Sequence, residues 1–304
     1  MAVTKNAIGA GARAVYKYFG FSKGYNFILW FVFVGALFGF SLSRLEYLDF
    51  WGVFCNPDRK GRSGAMPGEC FYFTKPGRYQ IGIILHLGTV LPASLLACVQ
   101  FTPIVRQKAM MTHRIGGYIS VILSVIGTVT ALMVARHSVG GGVDVQTFIG
   151  ILAILFLGSM VMAMVNIKRL QIEQHRSWMI RAWAYPCDKI NFTLKGQNAT
   201  MAWYPECAAF FSGENLDQHA VVKAGFRGAN VMETTAALNI VFGPAAWLAL
   251  VLHIIGAEIY LHLTAAEHER LRNVSYFRQV KAGMRNPGSA GWMAVSNAEF
   301  YSDG

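Results

Sequence analysis

The apolar positions of the chain fall into long runs. A membrane-crossing helix needs about 20 mostly apolar residues. Phe27–Ser43, Ile81–Phe101, Ile115–Ala135 and Thr147–Ile167 meet or approach that length. Thr234–Leu263 exceeds it and has the length to tilt or to project beyond the bilayer. A shorter segment, Trp178–Ile190, contains Arg181, Pro186, Asp188 and Lys189 and reads as a further crossing, short for the task. The pattern predicts an all-α integral membrane bundle of about six spans. Residues 1–26 form a basic N-terminal segment, 27–263 the multi-pass membrane domain with its core over 81–190, and 264–304 a C-terminal tail.

Composition supports this and removes other classes. The 304 residues are 54% hydrophobic and 14% charged, whereas soluble domains carry about 25% charged residues. A soluble enzyme, a nucleic-acid-binding module and a disordered basic protein are excluded on this count. The net charge of +11 has a topological explanation. With six crossings, both termini share one face, here called face A, with loops 102–114 and 168–176. Nearly all of the basic excess falls there. The rule that basic loops stay inside puts face A, and so both termini, in the cytosol. The expected partners are the lipid bilayer and a redox partner or small-molecule substrate, with no nucleic acid. The first 26 residues show no compact apolar stretch followed by a small-residue cleavage site, so no cleavable signal peptide is expected. The expected location is the plasma membrane or a secretory-pathway membrane.

Of the five cysteines, four lie on the opposite face, B. Cys55 and Cys70 share one loop, and Cys187 and Cys207 flank the other. Two same-loop pairs on a non-cytosolic face predict two local disulfides. Cys98 lies in a span. Sequons at Asn191 and Asn198 fall on the same face. Gly35 and Gly39 have the G-x-x-x-G spacing that lets helices approach closely. Gly140-Gly141-Gly142 lacks the following Lys-Ser/Thr of a phosphate loop and reads as a turn.

Candidate chemistry rests on histidine. Four of the eight histidines flank or enter the second to fifth spans. His113 and His175 sit near face A, His86 and His137 near face B. His113 and His137 are about 36 Å apart along one helix at ~1.5 Å per residue, so they cannot share a ligand. Each can pair at its own level, His113 with His175 and His86 with His137. Two histidines facing each other in a helix bundle can hold a b-type haem from both sides. Arg114 and Arg176 each follow a face-A histidine, and Arg181 lies in the fifth segment. Arginine is a natural partner for haem propionates. Histidines and arginines at span ends are also ordinary interfacial residues, so the same positions admit a reading without a cofactor. His253 and His262 lie on nearly opposite sides of the last span, with Glu258 between them. No H-E-x-x-H, nucleophile elbow or dinucleotide fingerprint is present to support a hydrolase or a flavin enzyme.

The stretch from His86 to Arg181 resembles a family of predicted multi-pass membrane proteins catalogued as a domain of unknown function. The residues that carry the resemblance are His86, Gln100-Phe101-x-Pro103-x-x-Arg106, His113-Arg114-x-Gly116-Gly117-Tyr118 and His175-Arg176-Ser177-Trp178-Met179-Ile180-Arg181. Pro186-Cys187-Asp188-Lys189-Ile190 and Tyr204-Pro205-Glu206-Cys207 look like fungal members. The resemblance implies a helical membrane domain and supplies no activity. One departure stands out. From His175 to Cys187 a helix rises about 18 Å, short of the ~30 Å apolar core.

Together these features predict a membrane oxidoreductase or electron carrier with haem b, using His113, His175, His86 and His137 as ligands. The alternative is a non-enzymatic transporter or accessory subunit. In that reading Gln100, Arg106, His113, Arg181 and Glu258 line a polar intramembrane site.

Overall fold

The computed structural model describes residues 2–56, 64–65, 69–138, 142–184, 204–215, 220–225 and 231–288. Among them there is no strand. Five helical stretches are long and apolar enough to cross a membrane: Gly24–Leu48, Arg78–Gln100, Met110–His137, Val143–Lys168 and Ala236–Leu263. The chain is an integral multi-pass membrane protein. The described part of the short segment Trp178–Ile190 belongs to a helix of 13 residues, Ile172–Ala184, about 20 Å long at 1.5 Å per residue. Residues 185–190 of that segment lie outside the described residues, as do both sequons, Cys187 and the Gly140–Gly141 turn.

The chain divides into two compact units. The first comprises residues 1–153 and 187–250, the second 154–186 and 251–304.

The first unit begins with α1 (Ala2–Tyr18), α2 (Gly24–Arg44) and short turns at Leu45–Leu48 and Phe50–Phe54. Then come α3 (Glu69–Phe73), α4 (Arg78–Gln100), α5 (Pro103–Lys108), α6 (Met110–Val134) and the start of α7 (Val143–Lys168). The antiparallel α4–α6 pair is its centre. Small residues set how closely these helices approach. A Cβ on Gly127 of α6 would meet Val90 Cγ2 at 2.5 Å, and one on Gly82 of α4 would meet Val134 Cγ1 at 3.0 Å. Helix α2 joins the pair through a buried hydrogen bond of 2.8 Å from Ser41 Oγ to Ser94 Oγ. Hydrophobicity does not drive helices together in lipid, so close packing and such polar contacts do. Gly35 and Gly39 are not part of this. A Cβ on either meets no atom within 4 Å, so the G-x-x-x-G spacing makes no close contact among the described residues.

The loop between α2 and α4 folds into a cap. Tyr47, Phe50, Phe54 and the fully buried Phe73 pack over Ile83, Leu87 and Val134. The expected Cys55–Cys70 disulfide closes it, with a sequence separation of 15. A loop of that size gains about 3 kcal/mol from cross-linking in the chain-entropy account. The second expected disulfide is not formed. Cys207 is a half-buried free thiol, and burial, then the neighbouring Glu206 charge, push its pKa up. At the other end of the unit Phe19, Phe21, Phe27 and Trp30 form an aromatic cluster. Gly20, at a φ of +86°, lets Ile104 N donate to Phe19 O, and a Cβ there would lie 2.9 Å from Ile104 N. Later in the chain come α9 (Ala208–Ser212) and α10 (Val231–Leu263), with Pro244 inside α10. Within this unit Trp247 of α10 donates to Asp144 O of α7 at 3.3 Å, and Asp144 packs on Gly243.

The second unit holds the ends of α7 and α10 together with α8 (Ile172–Ala184) and α11 (Ala265–Lys281). Helix α8 runs antiparallel to α10 and α11. Ile172 N donates to Ser275 Oγ at 2.9 Å, Arg176 Nη2 to Thr264 Oγ1 at 2.9 Å and Gln279 Nε2 to Arg169 O at 3.1 Å. Leu170 takes a left-handed conformation, φ 57°, at the turn from α7 into α8.

Candidate functional site

The four predicted histidines occupy different settings. His86 lies eight residues into α4, and its Nδ1 is 2.8 Å from Gly127 O of α6. His175 lies in the first turn of α8, with its Nδ1 2.9 Å from Ala163 O of α7. A carbonyl can only accept, so each Nδ1 carries a proton. His113 is half-buried in the first turn of α6. His137 ends the short turn Ala135–His137, stacked on Tyr72 at 4.0 Å and edge-on to Tyr79 at 4.3 Å.

The structure does not bring His86 and His137 to one level. His86 meets α6 at Gly127, ten residues before His137, about 15 Å of helical rise. The reason is the register of the pair. Gly82 of α4 packs on Val134 of α6, so His86, one turn further along α4, lies away from His137, which follows the end of α6. His137 packs against the aromatic cap instead.

The arginines differ as sharply. Arg114 is exposed. Arg176 donates through Nη2 to Thr264, and its guanidinium lies 5.8 Å from the Tyr260 ring. Arg181 is engaged. Its Nε and Nη2 reach Glu258 Oε1 and Oε2 at 2.5 and 2.9 Å, a bidentate ion pair, and the guanidinium lies 4.9 Å from the Trp178 ring. Arg181 is therefore a partner for Glu258 of α10 rather than a donor held ready for a propionate. The need for a partner was legible in its position inside an apolar segment. The identity of that partner required the antiparallel register of α8 and α10.

Sequence reasoning passed over Glu173. It is 3% exposed and accepts a short hydrogen bond from the Ser275 hydroxyl of α11. Its only sequence signal is its place in the first turn of α8, one turn before Arg176. His268 of α11 belongs to the same neighbourhood. Burial lowers its pKa from 6.5, the Glu173 charge opposes this, and Arg176 adds to it. The sign follows from linkage. Above pH 6.5 the ring is neutral in both folded and unfolded chains. As pH falls below 6.5 the unfolded chain takes up the proton more readily, so stability falls. The apparent Tm of the purified protein is expected to drop between pH 7.5 and 5.5 by more in the parent than in His268→Leu.

Among the described residues, no group of three or more His, Cys, Asp or Glu side chains is placed to hold a bare metal ion.

Residues 83–206 match the family described as "Predicted membrane protein (DUF2306)". The match contains all of the His86, Gln100, His113 and His175 motifs, so the resemblance drawn from them holds. The family has no assigned function. A protein of Aspergillus versicolor, Ava biosynthesis cluster protein G, is 24% identical over 322 residues, covering 85% of this chain and 94% of its own length. This fits a fungal-type member. No solved structure matches.

Proposed function

We propose that the protein is a membrane oxidoreductase or electron carrier that holds b-type haem through histidine. The observation that carries this reading is the Nδ1–H bond from His86 to Gly127 O and from His175 to Ala163 O. A metal-ligating histidine almost always donates its other ring N–H to a carbonyl or carboxylate, which fixes the ring and raises the basicity of the ligating nitrogen. The candidate ligands are His175 and His86 on this ground, with His113 on position. Arg176 suits a propionate by its place directly after His175. The iron would supply one-electron transfer, and the chain's own contribution is to orient the rings and meet the propionate charge. The charge asymmetry of the loops favours a cytosolic face A, with both termini there.

A second reading, a transporter or accessory subunit, is favoured by the Arg181–Glu258 pair inside the apolar segments. Intramembrane ionisable groups commonly mark a substrate or proton path.

Absorbance spectra separate the two. Protein expressed with haem supplied and purified in detergent is expected to show a Soret band and a sharp reduced α band. His175→Ala with His113→Ala is expected to lose or shift both. A folded parent with no Soret band overturns the haem reading in favour of the second.

A further inference from the structure

One face of α6 in the first unit carries His113, Gly116, Ser120, Ser124 and Gly127, spaced three and four residues apart. Residues so spaced share a face of a helix. This face lies on α4. Gly127 O meets His86 Nδ1 at 2.8 Å, and Ser120 Oγ donates to Ala93 O at 3.3 Å. The Gln100 amide covers Gly116, where a Cβ would lie 2.6 Å from Nε2. Beside them is the Ser41–Ser94 hydroxyl pair, with Ser41 fully buried. A polar seam thus runs through an apolar bundle. From His86 to Gln100 it follows 14 residues of α4, about 21 Å, and His113 lies one turn beyond Gly116.

The ordinary account of such residues is close packing. Small side chains let helices approach, and hydroxyls return to a carbonyl one turn back. That covers Thr89, which bonds to Leu85 O at 2.7 Å. It does not cover two atoms in the seam. Ser124 Oγ, on a residue 3% exposed, and Gln100 Oε1 are buried with no hydrogen-bond partner among the described residues. A buried polar atom left so costs about 1–3 kcal/mol, and an internal water is the usual remedy. The seam is also narrow. A Cβ on Gly127 would lie only 2.5 Å from Val90 Cγ2, so neither a solute nor a hydrated ion can pass between α4 and α6. A proton can, since each hydroxyl or water accepts one and releases another.

We propose that the α2–α4–α6 core is a proton relay between the His86 and His113 ends, with Ser124 and Gln100 binding the waters that join its hydroxyl steps. One proton enters at one end and one leaves at the other. No electron moves, and the charge is balanced by a counter-ion crossing elsewhere. The relay needs no haem, so it and the haem reading fail separately.

The test is proton flux into vesicles containing the purified full-length protein. A trapped pH dye reports influx, and a potassium gradient with valinomycin drives it. The parent is expected to acidify the lumen well above the rate of protein-free vesicles. Ser124→Ala and Gln100→Leu are each expected to lose most of that excess. Ser124→Thr, which keeps the hydroxyl, is expected to retain it, as is Ser43→Ala, whose exposed hydroxyl lies outside the seam and bonds to Phe40 O. A parent no faster than empty vesicles overturns the proposal. So does a conducting parent whose rate Ser124→Ala and Gln100→Leu leave unchanged. If one of these two variants fails to fold, the other reads the same step.

Discussion

Arg181→Met is expected to lower stability by about 2–3 kcal/mol, close to the cost of an unpaired charge within a membrane segment. The substitution leaves Glu258 in the last third of α10 without the two hydrogen bonds it accepts at 2.5 and 2.9 Å. Glu258→Met is expected to cost a similar amount, because the guanidinium, 18% exposed, then loses its carboxylate. Removing both charges is the informative experiment. An apolar pair in place of an ion pair is often neutral or better. The double variant is therefore expected to recover most of the loss, with a coupling energy of about 2 kcal/mol. Reversible unfolding in mixed detergent measures all four proteins. Additive single effects would mean that the two side chains do not depend on each other.

The second large effect is expected at Gly127. Even one methyl group there would sit 2.5 Å from Val90 Cγ2 and 3.1 Å from Thr89 Oγ1. Gly127→Leu must push α4 and α6 apart, and overpacking of this kind costs about 3 kcal/mol. Separation also pulls Gly127 O away from His86. The variant is thus expected to lose stability and to change the setting of that ring together. Gly35→Leu, on the open face of α2, is the matched control and is expected to be near neutral. Thermal unfolding of the two variants against the parent decides it.

The spans were legible because they depend only on the length and polarity of a run. The Cys55–Cys70 disulfide was legible because a short loop brings its ends together whatever surrounds it. Cys187 and Cys207 had the same logic behind them. It failed at Cys207, which is a free thiol: sharing a face does not by itself bring two cysteines within bonding distance. The pairing of His86 with His137 failed for a related reason. Level across a bundle depends on the register of neighbouring helices, and no apolar run shows that Gly82 of α4 packs on Val134 of α6. The glycine spacing in α2 was a true sequence feature without a neighbour to use it. The ion pair of Arg181 and the burial of Glu173 depend on which helices lie side by side, and one sequence does not encode that in any local pattern.

The bond between Cys55 and Cys70 has a practical consequence. A protease that cuts anywhere between them leaves two pieces that travel as one band until thiols are added. Sealed vesicles then turn the bond into a compass. A reductant that cannot cross the bilayer separates the pieces only if the cap faces the side to which it was added. Gel mobility alone would report which way the whole chain is threaded.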